Sequence, residues 1–417
     1  PSMRFLWAAG GAAKRDNTTI YNCAFAKINC IEAFSECLFI LMCGTGFGFS
    51  VEEEEVEKLP TIPAIRSGQD IEKVLIDDSK EGWADSVHEL MTSLYEGQNI
   101  YFDYSNIRPE GARLAVMGGR ASGPQPLVKL HDFIRETMHN AQSRKLTPLE
   151  AHDICNQIAE IVVVGGVRRS SQISLSDLEN DSMRHAKDWP YPIKRAMANN
   201  SAIYKEKPSA AEFLKEWGSL ALSGTGERGI FNLSAAQSKA PSRRYAPLIQ
   251  GTNPCGEIML RDMQFCNLTE VVVRPDDDLD SLLDKVECAT WLGVIQSTFT
   301  SFPYLRKEWK KNCDVERLLG VSLTGQMDNP TLMNSEALKA LKSRVLRISR
   351  KASSLLGVNM PAATTCVKPS GTVSQLVDSA SGVHPRWSDY YIRRYRIAAR
   401  DPLFKMLKEQ GVPCKPE

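Results

Sequence analysis

Residues 251–260 read GTNPCGEIML, and residues 264–270 read QFCNLTE. Asn253, Cys255 and Glu257 alternate with Pro254 and Gly256. In an extended loop, residues i, i+2 and i+4 point to one side, so an amide, a thiol and a carboxylate would face one small ligand together. Pro254 restricts and Gly256 permits the unusual backbone such a loop needs. The set suits work on a polyol. A cysteine sulfur can take a hydrogen atom once it is a radical. A glutamate can remove or return a hydroxyl proton, and an asparagine amide can hold a hydroxyl by two-way hydrogen bonding. The competing reading of these residues alone is a proline–glycine turn with a buried cysteine. Cys266 follows eleven positions after Cys255, and Cys23 in YNCAF is a candidate partner for it. Two thiols close in space supply two electrons by forming a disulfide. Spacing does not say whether these two meet.

The bulk numbers leave room for such a site. A chain of 417 residues with 42% hydrophobic and 24% charged content is an ordinary globular composition, large enough for two or three domains or one closed α/β barrel. A formal net charge of +1 gives no bulk field for nucleic acid or an acidic membrane surface, so neither is expected as a partner. The run Glu52–Glu55 reads as a solvated acidic loop. No stretch of about 18 uninterrupted apolar residues indicates a membrane span. The N-terminal PSMRFLWAAGG lacks the pattern of a secretory signal, and with the C-terminal GVPCKPE it suggests a fragment cut at both ends. Eleven cysteines, an odd number in a large chain, argue against a secreted disulfide scaffold. Without CxxC or HExxH, and with six histidines, no metal site is expected. Cys30, Cys37, Cys43, Cys155, Cys288 and Cys313 read as small buried hydrophobes. The chain is therefore expected to be reduced and cytoplasmic.

Helical and strand-like segments alternate. CIEAFSECLFILM has apolar residues three and four apart and ends at GTGFGF, which follows a helix rather than preceding one and so is no Rossmann fingerprint. TPLEAHDICNQIAEIVVV opens with Thr147, Pro148 and Glu150 in a capping-box arrangement, and SAAEFLKEWGSLAL repeats it with Ser209 and Glu212. SLLDKVECATWLGVIQSTF and NSEALKALKSRVLRISRKASSLL are further amphipathic helices. AVMGG, SQISL, GIFNLS, EVVV and GTVSQLV read as strands. The alternation predicts an α/β architecture with a largely parallel sheet.

Several motifs taken together carry a resemblance. NPCGEI, FCNL, YNCAF, GGVRRS, RGIFN and CVKPSGTVSQL resemble the catalytic subunit of ribonucleotide reductase. The form NPCGE resembles the class II, adenosylcobalamin-dependent enzymes. DSKEGWADSV and IRPEGARLAVMGGRASGPQPL are similar to the monomeric branch acting on ribonucleoside triphosphates. The likeness runs from LWAAGG to YYIRRYRI. It implies one ten-stranded α/β barrel domain over 1–417, truncated at both ends, with an effector-binding insertion around 51–130. It implies a thiyl radical at Cys255 that abstracts the ribose 3′ hydrogen, Glu257 as the carboxylate that takes the 3′-hydroxyl proton, and Asn253 as the amide binding ribose hydroxyls. Cys23 and Cys266 match the pair that supplies two electrons and ends as a disulfide.

The resemblance also assigns binding residues. Pro369, Ser370, Gly371 and Thr372 follow the basic Lys368 in a turn whose hydroxyls and free N–H groups suit a substrate phosphate. On spacing alone PSG is a common turn. GGVRRSSQISL reads unaided as a polar surface turn. By resemblance it is the loop through which a deoxynucleotide effector selects the base, with Arg168, Arg169 and Gln172 as readers and Asp78 and Ser79 as further effector contacts. The implied cofactor is adenosylcobalamin. The implied partners are a ribonucleoside triphosphate, an effector deoxynucleotide and thioredoxin or a similar dithiol, acting on a monomer. Two alternatives remain: a class I large subunit fed by a separate radical-generating partner, and a non-catalytic nucleotide-binding remnant.

Overall fold

A computed structural model of the chain describes residues 3–65, 73–113, 120–162, 171–395, 397, 399 and 401–416. Its strands in chain order are β1 (Cys23–Lys27), β2 (Gly46–Ser50), β3 (Lys73–Leu75), β4 (Tyr101–Asp103), β5 (Gln172–Asp177) and β6 (Ala198–Tyr204). There follow β7 (Gly229–Asn232), β8 (Gly251–Thr252), β9 (Met259–Leu260), β10 (Gln264–Phe265), β11 (Leu268–Val272) and β12 (Gly320–Thr324). The main sheet has the order β10-β1-β2-β5-β6-β7. Its neighbours run parallel except β10, which is antiparallel to β1. Parallel neighbours need long crossovers, and the helices Ile31–Met42, Pro148–Ile161 and Ala210–Ser223 lie within them.

The fold is α/β, as the alternation predicts. A closed ten-stranded barrel is not formed among the described residues: six strands make one open sheet, and β11–β12, β3–β4 and β8–β9 are separate pairs. The first two sheets are nevertheless joined through the backbone. Cys266 N donates to Cys23 O at 2.8 Å, and Gly320 N donates to Asn267 O at 2.8 Å. The chain thus passes from a ladder with β1 to a ladder with β12 across Cys266 and Asn267.

Local chemistry explains the helix starts. Thr147 and Ser209 each form a full capping box, with Glu150 and Glu212 reaching back to the cap. The amphipathic stretches become helices Leu279–Gln296 and Ser335–Leu356, which cover β11 and β12. GTVSQLV departs from its strand reading. It forms the short helix Thr372–Leu376, because Ser374 Oγ bonds back to Ser370 O (3.1 Å) and Gly371 O (2.9 Å), closing a helical turn. AVMGG lies outside the described residues.

The acidic run also differs from expectation. Residues Glu53–Val56 are helical, and Glu52 and Glu55 are buried. Lys27 and Lys58 pair with Glu55 at 2.8 and 2.6 Å, and Lys205 pairs with Glu52 at 2.8 Å. Buried carboxylates are retained where cations meet them, and here Lys27 and Lys205 come from distant segments while Lys58 is one turn away. Of the cysteines read as buried, Cys37, Cys43, Cys155 and Cys313 are so, Cys30 is half-buried beside Arg306, and Cys288 is exposed on its helix.

Strand periodicity divides the core in two. Along β1, Ala24 and Ala26 face the crossover helices, while Cys23 and Phe25 face the other side. That second face, here the inner face, also carries Ile173, Leu175, Ile258, Leu260 and Cys266.

Candidate active site

Two strand ends and one hairpin build the site. Ala24 pairs with Phe265 across β1 and β10, which sets Cys23 opposite Cys266 one step further on. Cys23 N donates to Cys266 Sγ at 3.1 Å. Residues 243 apart in sequence are therefore cross-strand neighbours. Both are buried on the inner face.

The hairpin β8–β9 carries the stretch quoted first, pairing Gly251 with Leu260 and Thr252 with Met259. Its tip is a tight turn rather than an extended loop. Gly256 N donates to Asn253 O at 2.9 Å, and Gly256 has φ +81°. Pro254 at the second turn position fits its fixed φ, and the glycine takes the left-handed one. The turn still brings the alternate residues together. Asn253 Nδ2 donates to Glu257 Oε2 at 2.7 Å, and Asn253 Oδ1 accepts from Ile258 N at 3.0 Å. Cys255 is exposed at the tip, while Asn253 is fully buried.

Glycines on neighbouring segments let the hairpin lie this low. A Cβ on Gly48 of β2 would stand 2.3 Å from Thr252 O, and one on Gly251 would overlap the Phe25 ring at 2.1 Å. A Cβ on Gly46 would sit 3.2 Å from Cys23 Sγ and 3.3 Å from Pro254 Cγ. Gly46 and Gly48 of GTGFGF are thus a bed for the loop, a role the sequence reading did not find.

Three thiols and a carboxylate share this space. Cys23 lies within hydrogen-bonding range of both Cys255 and Cys266. The neighbouring Cys23 thiol, then partial burial, push Cys255 well above the usual thiol range. Burial and Cys23 do the same to Cys266. Cys255 and Cys266 are thereby held as neutral thiols, the form that can give a hydrogen atom. Burial raises the Glu257 pKa, against the pull of Lys368 and of the Asn253 hydrogen bond. Lys368 Nζ stands 3.8 Å from Glu257 Oε1. Burial works against the Lys368 charge, but Glu257 and the thiols outweigh it and raise its pKa. Cys366 is half-buried nearby, pushed up to about 12 by burial and by Glu257. Lys368 was read only as the basic residue before a turn. Its closeness to Pro369 and Ser370 in CVKPSG was the available signal.

The remaining sequence candidates fall in three groups. Lys368 links the PSGT segment to the hairpin. There Pro369 is exposed, Ser370 is buried with no hydrogen-bond partner for its Oγ among the described residues, and Gly371 has open space where a Cβ would stand. Thr372 opens the short helix that follows. Gln172 lies on the opposite face of the sheet from Cys23, its amide donating to Cys155 O at 3.1 Å. Arg168 and Arg169 lie outside the described residues. Asp78 pairs with Arg108 at 2.6 Å, and Ser79 caps the helix Lys80–Tyr95 by accepting from Gly82 N. The structure brings Asn253, Cys255, Glu257, Cys23 and Cys266 to one point, with the PSGT segment beside it. Among the described residues it does not gather Gln172 with Asp78 and Ser79.

Known proteins resemble this chain in sequence and in fold. The family described as B12-dependent ribonucleotide reductase, insertion domain, matches residues 58–138. The adenosylcobalamin-dependent ribonucleoside-triphosphate reductase of Lactobacillus acidophilus is 28% identical over 525 aligned residues, covering 100% of this chain and 68% of that protein. The enzyme of the same name from Lactobacillus leichmannii is 27% identical over 516, covering 99% and 67%. A crystal structure of a B12-dependent (class II) ribonucleotide reductase superposes with a TM-score of 0.81 at 25% identity, over 99% of this chain and 69% of that one. Over nearly its whole length the chain is similar to the B12-dependent ribonucleotide reductases. The likeness to the α subunit of the class Id ribonucleotide reductase of Actinobacillus ureae is one of fold, with a TM-score of 0.52 at 13% identity over 94% of this chain and 66% of that one. Among the described residues, no helix is long and apolar enough to cross a membrane.

Proposed function

We propose that this protein reduces ribonucleoside triphosphates to 2′-deoxyribonucleotides by thiyl-radical chemistry at Cys255. The observation that carries the reading is the meeting of a cross-strand thiol pair, a third and exposed thiol, a buried carboxylate and an amide at one point. Cys255 takes the 3′ hydrogen atom of the ribose. Glu257 accepts the 3′-hydroxyl proton on Oε1, which has no hydrogen-bond partner among the described residues. Asn253 holds Glu257 in line and offers its amide to the ribose hydroxyls. The 2′ hydroxyl leaves as water with a proton from the Cys23–Cys266 pair. The pair gives up two electrons and forms one S–S bond, and the 3′ hydrogen returns from Cys255. One ribonucleotide and two thiols thus become one deoxynucleotide, one disulfide and one water. Holding these groups against one sugar ring supplies several kcal/mol of the barrier.

The site fits the cofactor of the class at its outer face. Cys255 is exposed, and the space beside it at Gly256 is open, with nothing within 4 Å of a Cβ built there. Adenosylcobalamin would rest against this tip and supply the one-electron chemistry that makes the thiyl radical. Pro369, Ser370, Gly371 and Thr372 bind the substrate phosphates. An effector deoxynucleotide acts through the loop of Arg168, Arg169 and Gln172, with Asp78 and Ser79 in the insertion around 51–130. Thioredoxin or a similar dithiol re-reduces the pair. The described strands form part of a ten-stranded barrel, and the protein works as a cytoplasmic monomer.

The test is anaerobic turnover of the full-length protein with a ribonucleoside triphosphate and a dithiol, with and without adenosylcobalamin, beside Cys255→Ser. Deoxynucleotide that needs both the cofactor and Cys255 is the expected result. No product from a folded protein under either condition would overturn the reading.

A further inference from the structure

Glu257 has two unlike oxygens. Oε2 accepts from Asn253 Nδ2 at 2.7 Å, whereas Oε1 is buried without a hydrogen-bond partner among the described residues. Among the described residues, the cation that pairs with it is Lys368, at 3.8 Å from Oε1, with side chains 2% exposed for Glu257 and 18% for Lys368. That separation is too long for a charge-assisted hydrogen bond and short enough for strong attraction in a shielded site. Burial alone would drive the carboxylate to its neutral acid, which cannot accept a proton. A cation in hydrogen-bond contact would restore the charge and block the lone pair. A cation one step away restores it and leaves the lone pair open.

We propose that Lys368 is the positioning residue for Glu257, an ammonium that keeps the buried carboxylate ionised while leaving Oε1 free to receive a substrate proton. The proposal rests on the role given to Glu257 above. The charged and titratable groups facing this pair are Cys23 from β1, Cys266 after β10, Cys255 on the hairpin, and Cys366 two residues before Lys368. Cys255, Cys266 and Cys366 are all pushed above the usual thiol range, so Lys368 supplies the positive field there near pH 7. Its tether is short: Ser370, two residues on, is anchored through its carbonyl, which accepts from Ser374 Oγ at 3.1 Å. Substrate phosphate bound at the PSGT segment would therefore fix the same backbone that carries the ammonium.

The experiment follows the carboxylic-acid infrared band of Glu257 as pH is varied, assigned by its loss in Glu257→Gln. The full-length protein, Lys368→Met and Lys368→Arg are compared. An opposite charge at this distance moves a carboxyl by about 1 to 3 pH units. In Lys368→Met the titration should therefore rise by more than about one unit, and Lys368→Arg should restore most of it. The acid limb of kcat/KM should move upward with it. An unmoved titration in Lys368→Met overturns the proposal. If Met fails to fold, Lys368→Gln gives the same reading. Absent nucleotide reduction in every protein, with the infrared shift present, would sink the functional reading while leaving the Lys368–Glu257 coupling in place.

Discussion

Asn253 does three things at once: it closes the turn through its carbonyl, bonds Ile258 N, and donates to Glu257. Asn253→Ala should leave a buried N–H and a buried carboxylate short of partners, costing about 1 to 3 kcal/mol of stability. It should also raise the Glu257 titration, since a donor to the charged form is lost. Denaturant melts beside the same infrared titration check both, and a variant as stable as the parent would refute the account of the turn. Gly48 acts through space alone. A methyl group there meets the main-chain oxygen of Thr252 at 2.3 Å, so the hairpin must rise off β2. A displacement of about 1 Å costs on the order of a hundred-fold in rate. Gly48→Ala should therefore lose turnover far more than melting temperature, and unchanged turnover would mean the loop is not seated by this contact. The alternation in Asn253, Cys255 and Glu257 was legible in the sequence, but its geometry was not. The extended-loop reading assumed one side for all three, and a hydrogen-bonded turn brings them together by folding the chain instead.

At the scale of elements, local signals read well and distant ones did not. The capping box at Thr147 needs only residues 147 to 150, and it formed as the sequence predicts. Thr147→Ala should cost about 1 kcal/mol, read as a lowered denaturant midpoint with unchanged slope. The acidic turn was misread because two of its cations, Lys27 on β1 and Lys205 just past β6, come from distant parts of the chain. The same limit hid the neighbourhood of Cys23 and Cys266, which a β1–β10 register fixes and no spacing reveals. Glu55 gives the turn a measurable signature. Its desolvation is outweighed by hydrogen bonds from Lys27, Lys58 and Asn29, which hold its pKa at about 2, below the ordinary value of 4.5. A depressed folded value means the unfolded chain binds the proton first as pH falls. The contribution is present in full above about pH 4.5 and is lost as pH drops toward 2. It amounts to about 3 kcal/mol at most. Glu55→Gln should remove that acid dependence, and a parent whose stability is flat between pH 4.5 and 2.5 would contradict the ion-pair account.

For the whole molecule, acid should act on two separate layers through buried histidines. His131 sits under the helices Lys80–Tyr95 and Gln125–Asn140, between Ser86 Oγ at 3.0 Å and Tyr104 Oη at 2.7 Å. His152 lies between the helix Pro148–Ile161 and the main sheet, with Nδ1 2.9 Å from Ser174 Oγ. Burial depresses each to about 3. Neither group has a carboxylate in direct contact that would welcome a proton, so both stay neutral in the fold. The unfolded chain protonates them near pH 6.5. Between about 6.5 and 3 the unfolded state therefore binds more protons, and stability falls as pH falls, by about 1.4 kcal/mol per pH unit for each histidine. The layer of residues 58–138 and the main sheet should weaken over the same window, because each carries one such group. Urea midpoints at a series of pH values between 7 and 4 measure the slope. His152→Asn keeps a polar amide toward Ser174 and cannot titrate, so it should flatten the slope by about one proton while costing some stability at pH 7. A slope unchanged in that variant would mean His152 takes up its proton in the folded protein, which would require a water path to its Nε2 that the packing of the sheet does not offer.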